Sequence, residues 1–140
     1  NRLIRRFYKK GYNIDKIIAR LEKKFNSVTY IDGYTHDTLP QLLNGKHLGI
    51  IPVVWEDNLP QVSIEITSFG VPILSSNLGG ASELCSNNDF KFKGGNKQDF
   101  IKKLTNIINN RNLLISFWDS YNKPNSMVNH MKDLLNYYKS

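Results

Sequence analysis

The sequence predicts an α/β fold in which a Rossmann-like parallel sheet is flanked by helices. Residues 47–54 and 71–76 are nearly unbroken apolar runs of strand length, which is typical of parallel strands buried on both faces. The segment between them, residues 59–69, has helical periodicity and is closed by Gly70. Strand, helix and strand at this spacing form a right-handed βαβ unit, so we expect a layered α/β domain.

The chain before this unit is expected to contain two helices and a strand. Residues 14–25 have helical periodicity, and residues 36–43 predict a second, short helix. Residues 28–32 are a β-branched and aromatic run, which predicts a strand. Residues 1–12 are interpreted as a helix or a tail. The apolar face of the first helix would consist of Ile14, Ile17, Ile18, Leu21 and Phe25.

The chain after the unit predicts a helical turn at residues 82–85, an edge strand at 90–92 and an amphipathic helix at 96–110. Two further helices, broken at Pro124, complete the chain. The inward face of the helix 96–110 is expected to carry Phe100, Ile101, Leu104, Ile107 and Ile108.

The composition is that of a folded protein with one core. The chain has 140 residues, of which 40% are hydrophobic and 22% charged, so we expect one domain over residues 1–140. No stretch approaches the roughly 18 consecutive apolar residues of a transmembrane helix. The single cysteine, Cys85, fits a reducing compartment, and we therefore expect a cytoplasmic protein. No histidine has metal-ligand spacing with Cys85, so we expect no bound metal.

The positive charge is concentrated in the first third of the chain. Residues 1–48 hold 10 Lys and Arg against 4 Asp and Glu, while residues 49–140 hold 9 against 8. A basic surface of this kind can bind nucleic acid or an anionic membrane, or it can be a solvated helix face. We expect the solvated face, with peripheral contact to the inner face of the membrane as a further partner and without a nucleic-acid partner.

Polar residues and glycines follow each predicted strand of the parallel sheet. The three loops are residues 33–35, 55–58 and 77–80. In an open parallel sheet, ligands bind beyond the carboxyl ends of the strands. These three loops are therefore the predicted binding site.

The predicted helix after the second loop begins near Leu59 and Pro60, where free backbone amides and the helix dipole attract a phosphate. Gly79 and Gly80 would let a second backbone segment approach the same ligand. This arrangement predicts a phosphorylated ligand. The alternative is that Asp57 or Asn58 only caps the helix and that the two glycines only turn the chain.

Glu65 is expected to contact the ligand. It lies among Val62, Ile64 and Ile66 in a helix between two buried strands, and a glutamate seldom lies near such a core without a partner. A carboxylate at this place can accept two hydroxyl hydrogen bonds, such as those of a ribose. The alternative is a glutamate that points to solvent from the edge of the helix.

Residues 52–84, PVVWEDNLPQVSIEITSFGVPILSSNLGGASEL, resemble the donor-site signature of the group 1 family of nucleotide-sugar glycosyltransferases. The shared pattern is an acid, seven residues, a second Glu, a Gly-Val-Pro strand and a Gly-Gly turn followed by Glu. The resemblance runs through residues 47–84, with coarser agreement of elements over the whole chain.

The resemblance implies the C-terminal, Rossmann-like half of a two-domain, metal-independent, retaining enzyme with the GT-B fold. It implies that Glu65 holds the ribose hydroxyls and that Asp57 contacts the sugar, and these are the two expected catalytic residues. It also implies a set of donor-binding residues in the loops and at the helix start. These are Tyr34, Glu56, Asn58, Leu59, Pro60, Gly79 and Gly80.

The sequence departs from the family pattern in two places. The first acid is Asp57 where most of the family has Glu, and Glu56 directly precedes it. Asp57 is the acid separated from Glu65 by the family's seven intervening residues, so we expect Asp57 to be the acid that faces the sugar. The family's diphosphate-clamping Arg and Lys have no clear counterpart, because Arg2 and Lys10 are spaced more widely than the family's pair and the expected strand and helix do not follow them.

The resulting prediction is the donor-binding half of a glycosyltransferase that transfers a hexose-type sugar from a nucleotide diphosphate sugar in polysaccharide or glycoconjugate biosynthesis. The expected partners are the nucleotide sugar and an acceptor-binding domain that precedes this segment in a longer enzyme. The segment alone would fold but transfer no sugar. The competing hypothesis is a non-catalytic basic module that binds nucleic acid or an anionic membrane.

Overall fold

The computed structural model describes residues 14–139. The chain divides into two compact units, Asn1–Leu39 and Pro40–Ser140. The interpretation of residues 1–12 as a helix or tail, and the Arg and Lys discussed above, lie outside the described residues. A single domain over residues 1–140 stays a prediction.

The first unit contains helix α1, Ile14–Glu22, which ends three residues before the predicted end at residue 25. Three residues of its predicted apolar face, Ile17, Leu21 and Phe25, are exposed. The strand predicted at residues 28–32 is wrong, because this segment is irregular, and its Tyr30 is 50% exposed. A strand is stabilised by the ladder of hydrogen bonds to a neighbouring strand, and residues 28–32 pair with no strand among residues 14–139. The β-branched and aromatic side chains of this segment do not form a strand without such a partner.

The second unit contains a three-stranded parallel sheet in the order β1-β2-β3. Its strands are β1 (Gly49–Ile51), β2 (Ile73–Ser76) and β3 (Lys91–Phe92). Gly49 pairs with Ile73 in the first ladder, and Ser76 pairs with Phe92 in the second. The predicted α/β class with a parallel sheet is confirmed. The edge strand predicted near residues 90–92 is β3.

The outer strand β1 is shorter and more exposed than the apolar run at residues 47–54 predicts. The ladder ends at Ile51 because the next residue, Pro52, has no amide hydrogen to donate. Ile50 is 42% exposed, so the prediction that this strand is buried on both faces is wrong. The central strand β2, in contrast, is buried at all four residues.

The helices are close to their predicted places. Helix α2 is Leu39–Leu43, α3 is Gln61–Ser68, α4 is Lys97–Asn109, α5 is Asn112–Asp119 and α6 is Met127–Tyr137. Two short 3-10 helices, Gly80–Leu84 and Asn88–Phe90, lie between β2 and β3. None of the helices among residues 14–139 is long and apolar enough to cross a membrane.

Local signals explain where α3 and α4 begin and end. Helix α3 ends before Gly70, which has φ of +77° and so adopts the left-handed conformation common after helices. Helix α4 begins after Asn96, whose side chain accepts a hydrogen bond from the Asp99 amide. The inward face predicted for α4 is correct for Ile107 but wrong for Ile101 and Ile108, which are 48% and 61% exposed. The sheet is narrow, so it covers less of α4 than a full apolar face.

The core of the second unit lies between β2, β3 and the helices α4 and α5. Phe117 is fully buried, and its ring contacts Phe90 edge-to-face at 4.9 Å between centroids. Tyr121 packs at the edge of this cluster, and its hydroxyl donates to Thr67 of α3. This packing positions the carboxyl ends of β1 and β2, where the candidate site lies.

Candidate functional site

Two loops meet at the carboxyl edge of the sheet, as the rule for parallel sheets predicts. The loop after β1 carries Glu56 and Asp57, and the turn after β2 carries Gly79 and Gly80. The Gly80 amide donates to the backbone carbonyl of Asp57 at 2.9 Å. The Gly79 amide donates to the carboxylate Oε2 of Glu56 at 2.8 Å. Residues that are more than twenty positions apart in the sequence are therefore joined by two hydrogen bonds.

Glycine is required at both positions of the turn because the two backbones touch. A Cβ atom on Gly79 would overlap the backbone of Asp57, and a Cβ atom on Gly80 would overlap the carbonyl of Asn58. Gly79 also has φ of +67°, a conformation that residues with a side chain rarely adopt. The two glycines thus let the turn after β2 pack directly against the backbone of the loop after β1.

A third loop, after β3, packs against the same turn. The Gly94 amide donates to the Asn77 side-chain oxygen at 2.9 Å, and the Asn77 amide donates to the Phe92 carbonyl at 2.7 Å. Residues 93–98 line an open cavity of about 540 Å³. The exits of all three strands are therefore linked by hydrogen bonds at one edge of the sheet.

The two acids after β1 differ in what their carboxylates contact. The Glu56 carboxylate binds the Gly79 amide, whereas the half-buried Asp57 carboxylate has no hydrogen-bond or ion-pair partner among residues 14–139. Asp57 therefore presents an unused carboxylate at the junction of the two loops.

The alternative that Asp57 or Asn58 only caps the next helix is excluded by the structure. The N-cap residue of α3 is Pro60, and no side chain makes a capping hydrogen bond there. Asn58 and Leu59 are exposed, and Pro60 is half-buried. The start of α3 is thus one to two residues later than expected, and its first amides receive no side-chain cap.

Glu65 lies just over one turn into α3. Its position is four residues after Gln61, which corresponds to about 6 Å along the helix axis. The residues that α3 buries are Ser63 and Thr67, whereas Glu65 is half-buried and lies outside that buried row. Its Oε1 accepts a hydrogen bond of 2.9 Å from the Gln61 side chain. A half-buried glutamate needs hydrogen-bond partners, and Gln61 of the same helix supplies one of them.

Tyr34 belongs to the first unit, Asn1–Leu39, whereas the other candidate residues belong to the second. Within its own unit, Tyr34 lies in an irregular segment and is 43% exposed. The prediction that residues 33–35 follow a strand of the sheet is wrong, because residues 28–32 form no strand. A role for Tyr34 at the base of a nucleotide stays a prediction.

A comparison with protein families identifies the family of the chain. The model of the family described as glycosyl transferases group 1 matches residues 10–129, which is most of the chain. The chain belongs to the group 1 glycosyltransferase family. Searches of curated proteins and of solved structures gave no significant match.

Membership in the group 1 glycosyltransferases confirms the resemblance noted in residues 47–84 and makes glycosyl transfer the general activity of the family. Within this glycosyltransferase, two contacts at the site were missed by sequence reasoning. The Asn77 side chain joins the turn after β2 to the loop after β3, and an asparagine directly after a predicted strand was the available signal. Gln61 binds Glu65, and the spacing of four residues in a helix was the signal there.

The charge around the site is one-sided in this group 1 glycosyltransferase. Residues 47–90 contain no Lys or Arg but include Glu56, Asp57 and Glu65. In the part of the chain that the structure describes, no group of three His, Cys, Asp or Glu side chains is arranged to hold a metal ion. A second open cavity, of about 470 Å³, lies at the amino ends of β1 and β2 and is lined by residues such as Lys46 and Phe69. That cavity is at the opposite edge of the sheet from Asp57.

Proposed function

We propose that this chain binds the donor of the transfer reaction, a nucleotide diphosphate sugar with a hexose-type sugar. The observation that carries the proposal is the unused Asp57 carboxylate, held at the junction of the two loops after β1 and β2. A carboxylate without a protein partner can accept hydrogen bonds from sugar hydroxyls. Asp57 would contact the sugar, and Glu65, eight positions later, would accept hydrogen bonds from the ribose.

The diphosphate would lie between these two acids, at the start of α3. The amides near Asn58 and Leu59 and the uncapped start of the helix at Pro60 support this placement, because helix N-termini attract phosphate. Gly79 and Gly80 would shape this part of the site from the side of β2, and Glu56 would do so from the loop after β1. Tyr34 would border the nucleobase.

We further propose that the chain is the donor half of a two-domain GT-B enzyme that retains the configuration of the sugar without a metal ion. The acceptor would then be bound by another domain, and this chain alone would transfer no sugar. Polysaccharide or glycoconjugate biosynthesis is the corresponding process. The single, buried cysteine supports a reducing compartment such as the cytoplasm, with membrane contact confined to its inner face.

Binding of a panel of UDP, GDP, UDP-glucose and GDP-mannose, measured by thermal shift and calorimetry, tests the donor proposal. A ligand at 100 times its Kd should raise the free energy of unfolding by about 2.7 kcal/mol, which is a shift of several degrees in Tm. Asp57→Asn should weaken the binding of UDP-glucose or GDP-mannose more than the binding of UDP or GDP. Asp119→Ala is a matched control, since Asp119 is exposed on α5 and has no side-chain partner among residues 14–139.

The competing proposal, a basic binding module, predicts a different result in the same assay. The excess of Lys and Arg in residues 1–48 would then bind single-stranded DNA or anionic vesicles, and this binding would fall steeply with salt. Saturable binding of a sugar nucleotide that persists at 200 mM salt would exclude the module as the main function. Salt-sensitive polyanion binding without any nucleotide binding would exclude the donor site.

A further inference from the structure

Glu56 and Asp57 are neighbouring acids, but the structure gives them different contacts. The Glu56 carboxylate accepts the Gly79 amide at 2.8 Å, and the Asp57 backbone carbonyl accepts the Gly80 amide at 2.9 Å. Two consecutive residues of one loop thus bind two consecutive amides of the turn. The Asp57 side chain takes no part in either contact.

We propose that Glu56 is a positioning residue, which holds the loop after β1 on the glycine turn and so places the Asp57 carboxylate, without contacting the donor itself. What Asp57 does rests on the proposed function. The contact between Glu56 and Gly79 does not, and it can be tested without any ligand.

The charge distribution supports this assignment. Residues 47–90 contain no Lys or Arg, and Glu56 has no ion-pair partner among residues 14–139. Its one hydrogen-bond partner there is the Gly79 amide. This contact needs an acceptor oxygen at the reach of a glutamate side chain, and a neutral acceptor of the same length can also make it.

The packing of the turn also supports the assignment. Gly80 is buried, and its backbone touches that of Asn58 without space for a Cβ atom. A small shift of the loop would break the hydrogen bond from Gly80 to Asp57 and the contact of Gly80 with Asn58 together, because the two backbones touch directly. A side chain that holds one end of the contact, at Gly79, therefore affects the position of the whole segment from Glu56 to Asn58.

Three substitutions of Glu56 separate a positioning role from a charge role. Glu56→Gln keeps the length of the side chain and an acceptor oxygen but removes the charge. Glu56→Asp keeps the charge but shortens the side chain by one methylene. Glu56→Ala removes both. A positioning residue predicts that Gln preserves the contact and that Asp and Ala lose it, whereas a residue that acts on a ligand through its charge predicts the opposite order for Gln and Asp.

Amide hydrogen exchange of Gly79 and Gly80, measured by NMR in the full chain, is the ligand-independent test. We expect Glu56→Ala and Glu56→Asp to accelerate exchange at both amides by about tenfold or more, while Glu56→Gln stays close to wild type. Asp119→Ala, which removes an exposed acid elsewhere, should change neither amide. Slow exchange of the amides in β2 verifies that each variant is folded. If Glu56→Ala accelerates only Gly79 and leaves Gly80 protected, Glu56 does not position the loop and the inference is overturned.

Calorimetry with UDP, GDP, UDP-glucose and GDP-mannose then tests the effect on Asp57. The preference for a sugar nucleotide over its bare diphosphate should fall in Glu56→Ala and Glu56→Asp and return in Glu56→Gln. Tighter binding of UDP or GDP to Glu56→Ala would overturn the inference. It would mean that the Glu56 carboxylate competes with a phosphate for the Gly79 amide. If none of the four binds the wild-type chain, the proposed function fails, while the exchange experiment still decides the role of Glu56.

Discussion

The contact between the two loops predicts an unusual order of stability among glycine-to-alanine variants. Gly70 and Gly79 both have positive φ, +77° and +67°, but an added Cβ atom would meet nothing within 4 Å at Gly70 and would overlap the Asp57 backbone at Gly79. Gly80 lacks the positive φ but has the overlap, with the Asn58 carbonyl. The three positions therefore separate backbone strain from steric contact.

The magnitudes follow from these geometries. Gly70→Ala should lose about 1–2 kcal/mol of the free energy of unfolding, which is the cost of a left-handed conformation for a residue with a Cβ atom. Gly80→Ala should lose about 1–3 kcal/mol, because overlap with a main chain is relieved only by moving the loop. Gly79→Ala has both penalties and should lose roughly 2–5 kcal/mol, the sum of the two ranges.

Equilibrium unfolding in urea, followed by far-UV circular dichroism, measures these differences. Gly95→Ala is a second control, since Gly95 has φ of +73° and no atom within 4 Å of an added Cβ. The expected order of stability is Gly70→Ala and Gly95→Ala above Gly79→Ala. If Gly79→Ala were no less stable than Gly70→Ala, and Gly80→Ala were as stable as wild type, the loops after β1 and β2 would not touch and the described site geometry would be refuted.

Four other outcomes are expected. Asp57→Asn in an active enzyme should impair sugar transfer far more than it weakens binding of the nucleoside diphosphate, while Glu56→Gln should leave both nearly intact. An inactive Glu56→Gln and an active Asp57→Asn in kinetic and calorimetric assays would assign the sugar contact to Glu56 instead. Glu65→Gln should weaken donor binding by roughly ten- to a hundredfold with little loss of stability, because glutamine keeps an acceptor for Gln61; unchanged affinity with a lower Tm would make Glu65 structural. Phe117→Ala should lose about 3–5 kcal/mol of unfolding free energy, since Phe117 is fully buried against three aromatic rings, and a loss under 1 kcal/mol would contradict that packing. Burial raises the pKa of the Cys85 thiol, so at pH 8 this thiol should react with a thiol reagent only when the chain unfolds. For the same reason, the free energy of unfolding should decline as the pH rises above the ordinary thiol pKa of about 8.5. Rapid labelling of the folded chain would contradict this burial.

Much of the fold could be predicted from local signals. The apolar run of β2 and the glycine with positive φ after α3 define the βαβ unit, because burial on both faces and the helix stop each leave a direct mark on the sequence. The irregular conformation of residues 28–32 and the exposure of Ile108 could not be predicted in this way. Both depend on which neighbour is present, a pairing strand in one case and a covering sheet in the other.

For the candidate site, the sequence by itself determined that the loops after β1 and β2 lie at the carboxyl edge of the sheet. The spacing of Asp57 and Glu65 and the glycines after β2 were sufficient for that, since the order of strand, helix and strand places the loops. Only the tertiary structure decided what each acid contacts, because Glu56 meets the Gly79 amide across 23 positions of sequence. Adjacent acids look equivalent in a sequence, and the difference between them arises from hydrogen bonds that form only when distant backbones come into contact.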